Sequence, residues 1–169
     1  MTIARLPTLA VLVAAATALA ATLVAGAPAP AQSKPTAPSK AGKAAASTEH
    51  KVAIQVNQND KAVMELALNN AKNIAEYFKA KGEVVKIELV AYGPGLHMLR
   101  SDTSPVKERI SVMSLENPDL TFAACGNTQA NQAKAENKPV TLLSEAKVTP
   151  SGVVRLMELQ KQGYAYIRP

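Results

Sequence analysis

The chain contains a single cysteine, Cys125, and its setting is the most chemical part of the sequence. Leu120-Thr121-Phe122-Ala123-Ala124 is a short apolar run, and Cys125-Gly126-Asn127-Thr128 follows it and opens an alanine-rich polar stretch. This pattern predicts a buried strand that turns sharply into a helix and leaves the thiol on the turn. In open α/β sheets ligands gather at the carboxyl ends of strands, where a helix N-terminus offers free N–H groups and partial positive charge. A helix N-terminus contributes about 0.3–1 kcal/mol, and about 1.4 kcal/mol moves a pKa by one unit. Against an ordinary thiol value of about 8.5, the helix alone leaves Cys125 mostly protonated at neutral pH, so a reactive thiol needs a second helper. Two readings follow: an activated nucleophile, or a small buried hydrophobe, as most free cysteines are.

His97 is the candidate helper, in the loop Tyr92-Gly93-Pro94-Gly95-Leu96-His97-Met98-Leu99, which two glycines and a proline mark as non-helical. The alternative is a histidine packed among Leu96, Met98 and Leu99. Those three apolar residues, read as exposed, suggest self-association. Asn57, in the turn after the first strand, is placed on the same sheet edge, and Asn57, His97, Gly126, Asn127 and Thr128 form the expected surroundings of the thiol. One cysteine and two separated histidines make no metal-ligand set. No G-x-G-x-x-G, P-loop or paired-acid constellation occurs, so no cofactor is expected.

The elements that position these residues alternate regularly. Strands are expected at 51–58, 84–92, 120–125, 146–149 and 164–167, the fourth being preferred to the apolar 139–143 because it runs straight into a helix start. Helices are expected at 61–80, from a Thr103-Ser104-Pro105 start, at 127–137 and from a Thr149-Pro150-Ser151-Gly152 start. Val63, Leu66, Ala67, Ile74 and Phe78 face inward on the first, Val106, Ile110 and Met113 on the second, Ala130 and Ala133 on the third, and Val153, Leu156 and Met157 on the last. Lys86 and Glu88 alternate with apolar residues, which points to a strand near a sheet edge. Five alternations imply an α/β domain of three layers: a mostly parallel five-stranded sheet with helices on both faces. In flavodoxin-like order, strands one and three flank the switch point and bring Asn57 and Cys125 to one crevice.

Residues 1–31 read as a cleavable signal peptide: Arg5, then an apolar run from Leu6 to Gly26, then Ala29-Pro30-Ala31. A retained membrane anchor is the competing reading. Residues 32–48, built from Ala, Pro, Ser, Lys and Gly, read as a disordered linker, leaving a domain at 49–169. The net charge is +6, but Arg5, Lys34, Lys40 and Lys43 precede Glu49 with no acid among them, so +2 remains for the domain. The basic balance is thus a property of the N-terminal segment and gives no case for nucleic acid as a partner. A lone cysteine in an exported chain excludes an intramolecular disulfide.

The Ala91-to-Leu99 loop, the Phe122-Ala123-Ala124-Cys125-Gly126-Asn127-Thr128 block and the Pro150-to-Ile167 close resemble the DsrE/DsrF-like family, in its exported subgroup. The resemblance implies a YchN-like fold that assembles as trimers or hexamers. It also implies a sulfur-relay role, in which a single cysteine, here Cys125, carries sulfane sulfur as a persulfide between a donor and an acceptor protein or thiol. With cleavage, the expected location is the periplasm, without stable membrane contact. The alternatives are a non-catalytic oligomeric scaffold with a structural cysteine and a thiol redox sensor.

Overall fold

The computed structural model describes residues 49–169; the signal peptide and linker read at 1–31 and 32–48 lie outside the described residues. Among the described residues no helix is long and apolar enough to cross a membrane.

Five strands, β1 (Glu49–Val56), β2 (Val84–Ala91), β3 (Leu120–Cys125), β4 (Ala146–Thr149) and β5 (Ala165–Ile167), form one sheet in the order β4-β3-β2-β1-β5. Every pairing is parallel. The five-stranded α/β sheet is the expected one, but the flavodoxin-like order is not. β1 lies between β2 and β5, so strands one and three are not neighbours. The chain steps in one direction through four strands and returns across the sheet once, from β4 at one edge to β5 at the other. β2 is therefore the central strand, and its alternating Lys86 and Glu88 do not mark an edge.

Right-handed crossovers put the helices of the outward steps on one face and the helix of the return step on the other. α1 (Lys61–Ala80) and α2 (Lys107–Glu116) cover the first face, where Met64, Leu68 and Ile110 pack on Ile54, Ile87, Leu89 and Phe122. α4 (Gly152–Lys161) covers the second, with Leu156 and Leu159 on Ala53, Val90 and Ala123. Alternation along β2 thus buries Ile87 and Leu89 under two helices and turns Glu88 toward one. There, Arg155 of α4 grips Glu88 through two hydrogen bonds of 2.6 and 2.8 Å.

α1 has the expected bounds because Asp60 caps it, accepting from the N–H of Ala62 and Val63. Its buried residues are Met64, Ala67, Leu68 and Ala71, a stripe rotated from the one expected; Leu66 is 45% exposed. α2 begins later than its proline suggests. Ser104 gives its hydroxyl to the Met98 carbonyl and accepts the Val106 N–H, so Lys107 is the first helical residue. The expected stripe of Val106, Ile110 and Met113 is buried.

The stretch expected as an open loop is a 3₁₀ segment, Gly93–Leu99, in which Leu96, Met98 and Leu99 are buried. They belong to the core and present no surface for association. Gly93 has φ +53 and Gly95 approaches so closely that a Cβ would lie 2.3 Å from the Val56 carbonyl oxygen, which explains both glycines.

Arg100, directly after this segment, is the largest fully buried side chain. Nε and Nη2 donate to Asp102 at 2.9 and 2.8 Å, Nη1 and Nη2 to Glu136 at 2.5 and 2.9 Å, and Nη1 to Gln132 at 3.1 Å. All five guanidinium N–H groups have acceptors. Lys138 adds contacts of 3.3 and 3.4 Å to the two carboxylates. This knot ties the 3₁₀ segment to α3 (Gly126–Glu136), a helix with no buried residue of its own. Ala130 is exposed and Ala133 only half-buried, so α3 is held by polar contacts rather than by the alanine face expected.

The Arg100 guanidinium holds Glu136 down to about 2 from an ordinary value of 4.5, and Asp102 well below the usual carboxylate range. Both carboxylates are depressed in the folded state, so their contribution is complete above the ordinary values. It disappears as pH falls from about 4.5 toward 2, where the unfolded chain takes up protons first. Urea midpoints measured across that window are expected to fall with acid in the wild type. They should fall less steeply in the Asp102→Asn/Glu136→Gln double variant, and equal slopes would refute the assignment.

Candidate functional site

Cys125 ends β3 beside Thr149 of β4 and is the N-cap of α3. Its sulfur accepts the Thr128 N–H at 3.4 Å, the hydrogen bond a Ser or Asp cap makes with oxygen. The Thr128 hydroxyl and the N–H groups of Asn127 and Gly152 stand near enough to favour its thiolate form. Gly152 is the first residue of α4, and a Cβ on it would lie 3.3 Å from Cys125 Cβ, so the start of a second helix lies against the cysteine. Two helix N-termini thus meet at one cysteine.

Both helices come this close for local reasons. The Asn127 N–H also reaches the Pro150 carbonyl at 3.2 Å, which draws the turn before α4 against the start of α3. Gly152 fits only because it lacks a side chain: a Cβ there would lie 2.8 Å from Tyr92 Cβ and 3.3 Å from Cys125 Cβ. Gly126 is similarly crowded, with Val148 Cγ1 and the Thr149 carbonyl at 3.2 and 3.3 Å from such an atom.

Cys125 is 5% exposed. Burial is the largest influence on the thiol and pushes it up. The Thr128 hydroxyl and the N–H groups of Gly152, Thr128 and Asn127 together outweigh burial, and the net displacement is downward. The helper that the sequence assigned to a histidine is supplied by hydroxyl and amide donors. A thiolate held this way is a nucleophile toward electrophilic sulfur.

Of the expected surroundings, Gly126, Asn127 and Thr128 are at the thiol. His97 is not among the groups bonded to the sulfur; its Nδ1 pairs with Thr103 Oγ1 at 2.8 Å. Asn57 acts on the Tyr92 hydroxyl rather than on the thiol, and Tyr92 packs against Gly152. Sequence reasoning missed Gly152 and Tyr92 as neighbours of the thiol. The Pro150-Ser151-Gly152 helix start was legible, but its landing on Cys125 requires the return crossing to be known.

Two grooves flank the domain. One of about 350 Å³ runs along β3 and β4, bounded by Ala123, Thr149, Pro150, Lys147 and the Glu88–Arg155 pair. Another, of about 430 Å³, lies at the opposite end of the sheet, where Glu83, Val84 and Asp119 meet Lys72, Lys79 and Met113.

With an all-parallel five-stranded sheet and one cysteine capping a helix at its carboxyl edge, the domain is of the class of single-cysteine α/β proteins. The chain belongs to the DsrE/DsrF-like family, whose pattern matches residues 20–169. That membership suggests a role related to sulfur relay. A solved protein of unknown function from Methanobacterium thermoautotrophicum is similar in fold, at 31% identity and a TM-score of 0.59, over 71% of this chain and 99% of that one. No match was found among curated proteins.

Gly152→Ala is expected to destabilise the domain by about 1–3 kcal/mol by overpacking against Tyr92. By moving the α4 amide off the sulfur, it should also raise the thiol titration midpoint. Denaturant unfolding together with pH-dependent alkylation checks both, and an unchanged midpoint would show that this amide does not act on the sulfur.

Proposed function

We propose that this domain is an exported sulfur carrier in which Cys125 holds sulfane sulfur as a persulfide. The Cys125 thiolate attacks the outer sulfur of a donor. A new S–S bond forms, the donor's S–S bond breaks, and the donor fragment leaves with the electron pair. An acceptor thiolate then attacks the outer sulfur of the persulfide, and Cys125 departs as thiolate. No cofactor enters this cycle. The Thr128 N–H on the sulfur at 3.4 Å, with the Thr128 hydroxyl and the amides of Asn127 and Gly152 favouring the anion, carries the reading, because the same donors stabilise the thiolate that attacks and the thiolate that leaves. Family membership supports it. Export to the periplasm rests on the signal-like residues 1–31.

Incubation with polysulfide should add the mass of one or more sulfur atoms to the intact wild type, removable by reductant, and nothing to Cys125→Ser. A folded wild type that gains no mass would overturn the carrier reading, and a sulfenic acid or an intermolecular disulfide in its place would make Cys125 a redox thiol.

Self-association as a homo-oligomer is part of this proposal, supported by α4 rather than by the 3₁₀ segment. Val153, Val154 and Met157, two of which were expected to face the core, are 51%, 49% and 54% exposed. Such a cluster favours burial against another surface. Sedimentation of the wild type should show an oligomer, and Met157→Lys should shift it toward monomer at equal concentration. A monomeric wild type would reject this part alone.

A further inference from the structure

Burying an arginine is costly, and Arg100 is not at the thiol, yet a continuous series of hydrogen bonds leads from one to the other. Arg100 Nη1 donates to Gln132 Oε1 at 3.1 Å, which fixes the amide so that its Nε2 donates to the Gly93 carbonyl at 3.3 Å. The Gly93 N–H donates to Thr128 Oγ1 at 2.9 Å. An oxygen that accepts this bond has its own proton free to point elsewhere, and Cys125 Sγ, which accepts the N–H of the same residue at 3.4 Å, is a neighbouring acceptor. Gly93 takes part only because it has positive φ.

We propose that Arg100 and Gln132 are positioning residues of the Cys125 thiolate, acting through Gly93 to turn the Thr128 hydroxyl onto the sulfur. Arg100 anchors the series, Gln132 hands it to the 3₁₀ segment, and Thr128 delivers it. The arrangement deepens the sulfur-carrier reading and rests on it only for its purpose, since the orientation of a hydroxyl toward sulfur can be measured whether or not sulfur is ever carried.

The other ionisable side chains on the packed elements are engaged elsewhere. Arg155 of α4 is bound to Glu88, and His97 to Thr103. Burial raises the Tyr92 hydroxyl, and Asn57 acts against it. Lys147 points from β4 opposite Ala123, two residues below the level of Cys125. None of the four is among the groups that move the thiol.

The test is the rate of alkylation of the single cysteine against pH in folded protein, with folding verified by thermal melting. Thr128→Val removes the hydroxyl and keeps the shape; a hydrogen bond to a charged group is worth about 1.5–3 kcal/mol, so the midpoint should rise by about one unit or more. Thr128→Ser should restore it. Gln132→Met, which does not touch the sulfur, should raise the midpoint by a smaller step in the same direction, an effect that a merely stabilising side chain would not have. If Thr128→Val does not fold, Gln132→Met decides. A folded Gln132→Met with the wild-type midpoint overturns the positioning series, even where the protein takes up polysulfide sulfur. A raised midpoint in a protein that never takes up sulfur upholds the series and rejects the carrier.

Discussion

The architecture around Cys125 depends on satisfying a guanidinium that water cannot reach. Arg100 has five N–H groups and no acceptor, so its burial requires five acceptors in the plane of the fork. Asp102 is two residues along the chain, but Gln132 and Glu136 come from α3, so α3 must lie where it does for the arginine to be tolerated. This explains how a helix without one buried residue keeps a fixed place. Gln129 adds a bond to the Val140 carbonyl at 2.8 Å, and the attachment of α3 is polar along its length. The start of that helix, and with it the cap that Cys125 provides, inherits the fixed position.

At the sulfur, two effects of opposite sign compete. Removal from water favours the neutral thiol, and fixed donors favour the anion. The donors win because there are several of them and none has to reorganise: three are backbone N–H groups of helix ends and the fourth is a hydroxyl whose oxygen is already occupied. An imidazolium would do the same work at the cost of bringing a second charge into the interior.

The long helix α1, the Cys125 strand and the short β4 were legible because periodicity, a capping Asp60 and a proline-glycine helix start are local signals. The choice of Ala146–Thr149 over the more apolar 139–143 rested on such a signal, and Leu142 instead makes an isolated antiparallel bridge with Arg100. Strand order was not legible, since alternation of strands and helices is the same whether the chain reverses after one step or after three. The burial of Leu96, Met98 and Leu99 was not legible either: glycine and proline fix the local turn, but the closeness of Gly95 to β1 is a tertiary fact. Arg100 carried no sequence signal beyond its place after an apolar run, because its partners lie up to 36 positions away. The misplacement of His97 came from treating proximity along one sheet edge as contact.

The return crossing from β4 to β5 brings Gly152 to the thiol, so the sulfur's surroundings are drawn from the middle and the end of the chain. Without that last passage, Cys125 keeps Thr149 of β4 and the donors of its own helix and loses the α4 amide. Nucleophilicity is then a property of the finished molecule rather than of the amino acid. A chain without its C-terminal passage lacks the Gly152 amide near the sulfur, so that influence on the thiol belongs only to the molecule in which α4 is docked.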